Sequence, residues 1–409
     1  MTLLVARTRP VDTDVDPAST AGPDGFLWLE PGGWTAARGC ALAIDVPADT
    51  DPATATKIVM DALGSISSSG PHPPRAFAAI PFRPGAAFTA VVPDIVVAHG
   101  ADGSRWATTV AMPGEEAALE EDAGAGAVAL EDGEAGDGRV VVSTTTPAAQ
   151  WCEAVAEATR RIRQGDAVKV VLAREVVVQT SAPVAAHHLA LKLHRKFPSC
   201  TTFAGHGLVG ASPELLVSRH GDVVRSHPLA GTSPRAADPS ADARLAAELL
   251  ASEKDRWEHQ ITLDRVHETL LPFCSYLDSE AQPSVVAVAN VQHLGTMVEG
   301  RLSDPPPSVL ELALLLHPTP AVAGEPRAAA LALIDELEVG DRGLWAGAVG
   351  WVDAAGDGSW MVAIRSAQLS GREARLWAGN GIVADSDPAT ELDETRAKLD
   401  AVLPLLIRP

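Results

Sequence analysis

The sequence predicts an α+β fold built from large antiparallel β-sheets. Strand-length apolar stretches occupy residues 285–294, 344–354, 359–369 and 372–383, and the last three follow one another through short connections. Helical patterns are few and widely spaced along the chain, so helices and strands do not alternate regularly. A βαβ repeat requires that alternation, whereas successive hairpin-like strands favour antiparallel sheets.

The first part of the chain, residues 1–145, is predicted to form an N-terminal lobe rich in Ala, Pro, Gly and Asp. Its short apolar runs, which predict strands between turns, lie at 41–46, 88–98 and 106–112. Residues 114–138 are acidic and mostly small, which is typical of a solvated loop or linker. This segment marks the predicted boundary with a second unit, residues 146–409.

The second unit begins with a predicted helix and a long strand. Thr146 suits an N-cap, Pro147 fits the first helical position, and Gly165 ends the helical pattern. Residues 166–179 are apolar and β-branched and predict a strand whose side chains alternate between two faces. Lys169 therefore lies inside a strand, among apolar neighbours.

Two further predicted helices carry acidic residues beside apolar or glycine-rich segments. The helix at 252–271 presents an apolar stripe that includes His259, and Glu258 adjoins it. The helix at 388–399 follows a glycine-rich strand end and carries three charged side chains along one side: Glu391, Glu394 and Lys398. Two carboxylates, an ammonium and exposed backbone amides suit a divalent metal with an anionic ligand.

Composition excludes several classes of function. The 409 residues include 32 Lys and Arg and 53 Asp and Glu, so the net charge of -21 repels nucleic acid and anionic membranes. An anionic substrate then requires a local positive site or a bound cation. Four dispersed cysteines without a CxxC pair indicate neither a disulfide framework nor a zinc site. We expect a cytoplasmic protein with no signal peptide and no membrane span, and a monomer.

Two side chains are candidates for proton transfer. Lys169 in an apolar strand has the surroundings of a lysine base, although an edge-strand lysine that reaches solvent fits the same pattern. Glu214 follows Pro213 among apolar residues, which suits either a general acid of raised pKa or a glutamate at a helix start. Neither residue decides between its two interpretations alone.

Candidate metal ligands and anion contacts lie further along the chain. Glu258, Glu394 and Glu391 offer the oxygen donors that Mg²⁺ prefers, while solvated helix faces are the alternative interpretation. His293 and Arg365 are polar groups within strand-like sequence. A buried arginine needs an anionic partner, and a substrate carboxylate would supply one through a bidentate pair.

An ordered set of motifs over about residues 146–405 resembles the chorismate-utilising enzyme family, which includes isochorismate, salicylate and anthranilate synthases. The motifs are KVVLAR, ASPELL, HPLAGTSPR, SEKDRWEH, VQHL, HPTPAVAGEP, LWAGAVGW, VAIR and AGNGIV with its ELDET helix. The resemblance implies that the antiparallel sheets form a sandwich with flanking helices, in which the N-terminal lobe has a packing role.

The resemblance also implies a reaction. A lysine at position 169 is similar to the base that activates water in isochorismate and salicylate synthases, and Glu214 to the acid that protonates the leaving hydroxyl. Ala321 stands where lyase-competent relatives commonly have threonine, which favours stopping at isochorismate. The implied cofactor is Mg²⁺, held by Glu258 and Glu394 with Glu391 in support.

Further roles follow from the resemblance alone. Arg365 is implied to hold the pyruvyl carboxylate of chorismate, and Lys398 to lie near the ring carboxylate and the metal. The remaining substrate-binding residues are implied to be Gly231 and Gly379, through backbone amides, and His293 and Trp345, at the ring. The expected protein is an isochorismate synthase, an isomerase whose partner is an isochorismate-consuming enzyme of siderophore, menaquinone or salicylate synthesis. The alternatives are a salicylate synthase and a non-catalytic relative.

Overall fold

The computed structural model describes residues 4–11, 15–115, 139–288 and 291–407. Within these ranges the strands in chain order are β1 (Val5–Pro10), β2 (Phe26–Glu30), β3 (Gly33–Arg38), β4 (Leu42–Val46), β5 (Ser67–Ser69), β6 (Arg75–Ile80), β7 (Phe88–Val92), β8 (Ile95–His99), β9 (Arg105–Ala111), β10 (Val140–Thr144), β11 (Lys169–Thr180), β12 (Thr201–Gly205), β13 (Leu208–Ser212), β14 (Leu215–His220), β15 (Val223–His227), β16 (Leu229–Pro234), β17 (Cys274–Ser279), β18 (Ser284–Val288), β19 (Val291–Gly295), β20 (Val298–Leu302), β21 (Gly324–Glu325), β22 (Ala348–Asp353), β23 (Gly358–Val362), β24 (Ser366–Ser370) and β25 (Glu373–Ile382).

The helices of the same ranges flank these strands. They are α1 (Pro17–Ala21), α2 (Pro52–Gly64), α3 (Ala148–Arg163), α4 (Ala186–Lys196), α5 (Pro239–Ala251), α6 (Glu253–Leu270), α7 (Val309–Leu316), α8 (Arg327–Leu337), α9 (Pro388–Leu399) and α10 (Leu403–Ile407), and a 3₁₀ turn (Leu271–Phe273) follows α6. No helix in the described part of the chain is long and apolar enough to cross a membrane.

Thirteen of the described strands form one sheet, in the order β10-β11-β25-β24-β13-β12-β2-β3-β8-β9-β1-β5, with β21 paired to β11. A nine-stranded sheet has the order β17-β20-β15-β14-β23-β22-β6-β7-β4, and β16-β19-β18 form a third sheet. β1 and β5 pair parallel, whereas the pairs that build the rest of the two large sheets are antiparallel. The predicted α+β class with large antiparallel sheets is confirmed.

The two large sheets face each other across an aromatic core. Phe26 and Trp28 of β2 and Phe203 of β12 pack in one cluster with Phe77 of β6 and Met361 of β23. The rings of Phe26 and Phe77 lie 4.5 Å apart between centroids. Residues from both sheets therefore interdigitate, which is the packing of a β-sandwich.

Strands from before residue 145 continue the sheets of the second unit. Trp28 of β2 pairs with Phe203 of β12, and Phe77 of β6 pairs with Trp351 of β22. Most of the acidic segment, residues 116–138, lies outside the described residues. Strands before and after the predicted boundary at residue 145 therefore belong to the same sheets.

Several local predictions differ from the structure. The helix expected from Thr146 is capped one residue later, by Pro147, without a side-chain cap. The stretch 285–294, of which residues 289 and 290 lie outside the description, is not one strand, because β18 and β19 pair with each other in antiparallel orientation. Similarly, 88–98 divides into β7 and β8, which join different sheets. The predicted strand 359–369 likewise divides into β23 and β24, one in each large sheet. Period-two apolar patterns do not show where a strand turns back.

Two helices that border the later site have strong start signals. The Ser252 hydroxyl accepts a hydrogen bond from the Asp255 amide at 3.2 Å and caps α6. Asp387 caps α9 by accepting from the Thr390 amide at 2.9 Å, and Pro388 occupies the first turn. Both residue types satisfy helix-start amides that lack partners within the helix. These caps set the first residues of α6 and α9, and hence the positions of the acidic side chains on each helix.

Candidate active site

The predicted site residues surround one cavity of about 250 Å³ between α6, α9 and the end of β25. Its lining includes Glu214, Gly231, Glu258, His293, Ala321, Trp345, Arg365, Gly379, Glu391, Glu394 and Lys398. Lys169 reaches the same place through Glu258, as its ammonium Nζ lies 2.8 Å from Glu258 Oε1. Residues separated by more than 220 positions in the chain thus converge on one volume.

Lys169 is completely buried at the start of β11. The antiparallel register places Gly381 of β25 opposite Val171, next to the lysine side chain. A Cβ atom at residue 381 would lie 2.4 Å from Glu258 Oε1 and 2.6 Å from Lys169 Cε. Glycine at 381 therefore leaves the space that the Lys169–Glu258 ion pair occupies, and a larger residue would force these side chains to shift. The alternative of a solvent-exposed edge-strand lysine is wrong.

Glu214 lies between β13 and β14 rather than at a helix start, and only 3% of its surface is exposed. Its amide donates to the Ser212 hydroxyl at 3.3 Å. Burial raises the pKa of Glu214 to about 8, against the opposing effects of a backbone hydrogen bond to Leu229 and the charges of Lys169 and Arg365. Glu214 is thus predominantly protonated at pH 7, as a general acid must be.

Arg365 separates β23 from β24 and adopts a left-handed conformation, with φ of 52°. Its Nη2 donates to His293 Nε2 at 3.2 Å, while its Nε is buried without a hydrogen-bond partner among the described residues. Burial lowers the pKa of Arg365 to about 10, so the guanidinium stays charged at neutral pH. A charged fork with an unused donor on the cavity suits a carboxylate ligand.

His293 is held in one tautomer by its neighbours. Its Nδ1 is 3.0 Å from the carbonyl oxygen of Gly231, which can only accept, so Nδ1 carries the proton. Its Nε2 then accepts from Arg365. Burial, together with the charges of Arg365 and Lys398, lowers the pKa of His293 to about 3. The ring is neutral and orients the guanidinium towards the cavity.

Lys398 extends from α9 towards the glycine-rich end of β25. Its Nζ donates to Gly379 O at 2.8 Å and to Asn380 Oδ1 at 2.9 Å, and it pairs with Glu394 Oε1 at 2.7 Å. Asn380 in turn donates from Nδ2 to the backbone oxygen of Glu391 at 2.7 Å and to its Oε2 at 2.9 Å. The Gly379 carbonyl thus accepts a hydrogen bond from Lys398, as the Gly231 carbonyl does from His293.

Comparison with known proteins identifies the family. The family model for chorismate binding enzymes matches residues 86–407. The chain belongs to this family. Isochorismate synthase DhbC of Bacillus subtilis (strain 168) is 36% identical over 93% of each chain. The vibriobactin-specific isochorismate synthase of Vibrio cholerae is 39% identical over 62% of this chain and 66% of its own.

A solved structure shows the same fold as this chorismate-binding enzyme. The structure of MenF, the menaquinone-specific isochorismate synthase of Escherichia coli, matches with a TM-score of 0.84 and 23% identity, and the match covers 99% of this chain and 95% of that one. The sandwich of large antiparallel sheets is therefore the fold of a known enzyme.

The carboxylates around the cavity supply the oxygen donors that a hard divalent cation prefers, but they are not arranged as a metal site. Burial, followed by the neighbouring Glu394 carboxylate, raises the pKa of Glu391, and burial with the charge of Glu258 raises that of Asp255. Carboxylates that repel one another in a buried cavity gain from a cation among them. In the described part of the chain, no three acidic or histidine side chains converge at metal-ligand distance, and Glu258 and Glu394 each pair with a lysine.

Sequence reasoning missed several residues that line the cavity or support its lining. Lys254 and Asp255 line it from the first turn of α6, and Trp377 stacks with Trp345 at a centroid distance of 6.5 Å. Asn380 is buried between the two glycines of β25. Asp255 could have been found from its i, i+3 spacing to Glu258, which places both on one helix side. Asn380 carries no comparable signal, because its partners come from α9.

Proposed function

We propose that this enzyme is an isochorismate synthase that converts chorismate reversibly to isochorismate with Mg²⁺ as cofactor. The observation that carries the proposal is the position of Glu214, a buried carboxyl group on the cavity wall whose pKa burial raises to about 8. The buried Lys169 contacts Glu258 of the same cavity. A protonated acid and a lysine base on one small cavity suit the addition of water at one carbon and the loss of hydroxide from another.

The proposed reaction assigns one proton transfer to each group. The Lys169 ammonium, which pairs with Glu258, first gives up a proton to solvent. The neutral amine then removes a proton from water as the water oxygen bonds to C2 of chorismate. Both ring double bonds shift, from C1=C2 and C5=C6 to C1=C6 and C4=C5. The C4–O bond breaks, and Glu214 protonates the departing hydroxyl to give water. Lys169 ends protonated and Glu214 ionised, so the two groups exchange a proton with solvent before the next cycle.

Charged and apolar groups of the cavity would hold the substrate. Arg365 would bind the pyruvyl carboxylate with its charged guanidinium, oriented by His293. Mg²⁺ bound by Glu258 and Glu394, with Glu391 in support, would neutralise a substrate carboxylate in a protein of net charge -21. Lys398 would lie beside that carboxylate. Trp345 and Ala321 line the same cavity and would contact the ring.

Product analysis tests the proposal. The purified enzyme is incubated with chorismate and Mg²⁺, and the products are separated by chromatography. We expect isochorismate in equilibrium with chorismate, because Ala321 is not the threonine associated with pyruvate elimination. Salicylate with equimolar pyruvate would overturn the proposal in favour of salicylate synthase, and anthranilate formed from ammonia would show that Lys169 does not activate water.

Two variants test the assigned groups. Lys169→Ala and Glu214→Ala each remove one partner in proton transfer, and we expect each to lower kcat by a factor of about 100 or more. Circular dichroism and thermal melts establish whether the variants keep the fold. A folded variant with the rate of the unmodified enzyme would contradict the role of that residue.

A further inference from the structure

Along one edge of β11, the strand that carries Lys169, some backbone groups form hydrogen bonds with side chains instead of with another strand. On this edge β11 pairs with β21 at Lys169 and Val170, and with β10 from Val176 onward. Between them no strand of the described residues pairs with this edge at Val171 or Ala173. Buried backbone groups require partners, so the contacts at this interval must come from elsewhere.

A buried ion pair supplies two of those contacts. The Ala173 amide donates to Glu338 Oε1 at 2.7 Å, and the Val171 carbonyl accepts from Arg342 Nη2 at 2.7 Å. Glu338 follows α8 directly, and Arg342 lies four residues further along the chain. Their side chains are 8% and 2% exposed, and Arg342 Nε donates to Glu338 Oε2 at 2.9 Å. The ion pair therefore supplies hydrogen bonds that a neighbouring strand would otherwise provide.

Arg342 also contacts the 321–323 segment, which lies next to this edge of β11. Arg342 Nη1 donates to the carbonyl of Val322 at 2.8 Å, and the Val171 amide donates to the carbonyl of Ala323 at 2.8 Å. Val171 and Val322 both line the cavity, beside Lys169 and Ala321 respectively. One guanidinium therefore joins the strand of the base to the segment that carries Ala321.

Groups outside the ion pair also hold Arg342 in place. Its guanidinium carbon lies 4.2 Å from the ring centroid of Phe82 and 5.3 Å from that of Trp345. Its backbone oxygen accepts from Gln368 Nε2 at 2.7 Å. A planar group close to two aromatic rings, with donors directed at a carboxylate and two carbonyls, has little freedom to move.

We propose that Arg342 and Glu338 are positioning residues that set the spacing between β11 and the 321–323 segment, and through it the reach of Lys169 into the cavity. This inference rests on the proposed function, since it concerns the base of that reaction. A buried ion pair adds little net stability, whereas its fixed geometry specifies one arrangement of the groups around it. A displacement of a reacting group by about 1 Å lowers a rate by about 100-fold.

Arg342→Lys is the main test. Lysine keeps the charge but has a single nitrogen, which cannot reach the Glu338 carboxylate and both carbonyls together. We expect kcat to fall by about 10- to 100-fold with KM changed by less than about threefold, because Arg365 and Lys398 bind substrate from other elements. Glu338→Gln keeps an acceptor for the Ala173 amide, so its kcat is expected to lie between those of the unmodified enzyme and Arg342→Lys.

A matched control separates positioning from general stability. Arg219 of β14 is also a buried arginine, which donates to Gly221 O at 2.9 Å and Pro307 O at 2.8 Å and lies 3.4 Å from Asp357. Arg219→Lys is expected to lower the melting temperature and leave kcat unchanged well below that temperature. If Arg342→Lys gave the same result as Arg219→Lys, the positioning role would be overturned.

A readout without substrate separates this inference from the proposed reaction. Hydrogen exchange at the amides of Val171 and Ala173 is expected to accelerate in Arg342→Lys and to remain slow in Arg219→Lys. Unchanged exchange at both amides would overturn the bridge whatever the product of the enzyme. If Arg342→Lys does not fold, Arg342→Met with Glu338→Leu replaces the pair by apolar groups, and a folded double variant with unmodified kcat would overturn the inference.

Discussion

At the scale of single residues, surroundings rather than residue type decide chemistry. Glu214 and Glu258 both border the cavity, yet burial keeps Glu214 protonated while Glu258 pairs with the Lys169 ammonium. The sequence could name both glutamates but left each with two interpretations. Distance to a lysine and the depth of burial are tertiary properties, and they separate an acid from an ion-pair partner.

The pKa of Glu214 predicts the alkaline side of the pH profile. Its protonated form is required, and that form decreases as pH rises through the folded pKa of about 8. We therefore expect kcat/KM to fall above about pH 8, tenfold for each further pH unit. Initial rates between pH 6 and 10 measure this limb, and a rate that stays constant to pH 10 would show that Glu214 is not the proton donor.

Asn380 gives a second prediction at this scale. Its amide clamps Glu391 and its oxygen accepts from Lys398, so Asn380→Ala frees both groups. Groups that orient metal ligands typically contribute 10- to 100-fold to metal affinity, and we expect Mg²⁺ binding to weaken by about tenfold. Titration calorimetry with Mg²⁺ alone measures this change.

Asn380→Asp sharpens that experiment. It places a second carboxylate against Glu391 Oε2, where the present amide donates a hydrogen bond. Without metal, the pKa of Glu391 should rise further, because a like charge disfavours its ionised form. Equal Mg²⁺ affinity in the unmodified enzyme and both variants would show that Asn380 does not orient a metal-binding group.

At the scale of elements, strand register positions the site. β11 and β25 pair from Val170 with Ile382 to Gln179 with Glu373, which brings Gly379 and Gly381 beside the base strand. The sequence predicted both strands but not this register, since β11 is apolar on both faces and its pattern alone fits more than one pairing. The α9 helix, by contrast, occupies the predicted residues because Asp387 and Pro388 mark its start.

Gly381→Ala tests the register at its closest approach. The added methyl would lie within 2.4 Å of Glu258 Oε1 and so would force the Lys169–Glu258 pair apart. We expect kcat to fall by about 100-fold with the fold retained. Gly64→Ala at the end of α2 is the matched control, because a Cβ there meets no atom within 4 Å. Full activity in Gly381→Ala would show that the pair tolerates displacement.

At the scale of the whole molecule, the two predicted units share their sheets. β2 pairs with β12, and β6 with β22, so strands from residues 1–145 cover edges of the later part. The aromatic core between the sheets also combines Phe26 and Phe77 with Phe203. The N-terminal residues thus contribute to the sandwich that positions the cavity.

A fragment of residues 146–409 tests this dependence. This fragment lacks β2 and β6, so the edges of β12 and β22 and about half of the aromatic core would be exposed. We therefore expect neither a cooperative thermal transition nor chorismate turnover. Melting followed by circular dichroism, with the full chain as reference, measures the outcome. A fragment that melts cooperatively at the temperature of the full chain would show an independent second domain.

The sequence by itself determined the α+β class, the helices at 252–271 and 388–399, and the identity of the charged groups, because caps, periodicity and residue chemistry are local properties. Ordered motifs also indicated the family. Only the tertiary structure decided that Lys169 meets Glu258, that Asn380 holds Glu391 and Lys398, and that Arg342 bridges β11 to the 321–323 segment. These contacts join distant parts of the chain, and the pairing that creates them depends on register and packing, which no local pattern encodes.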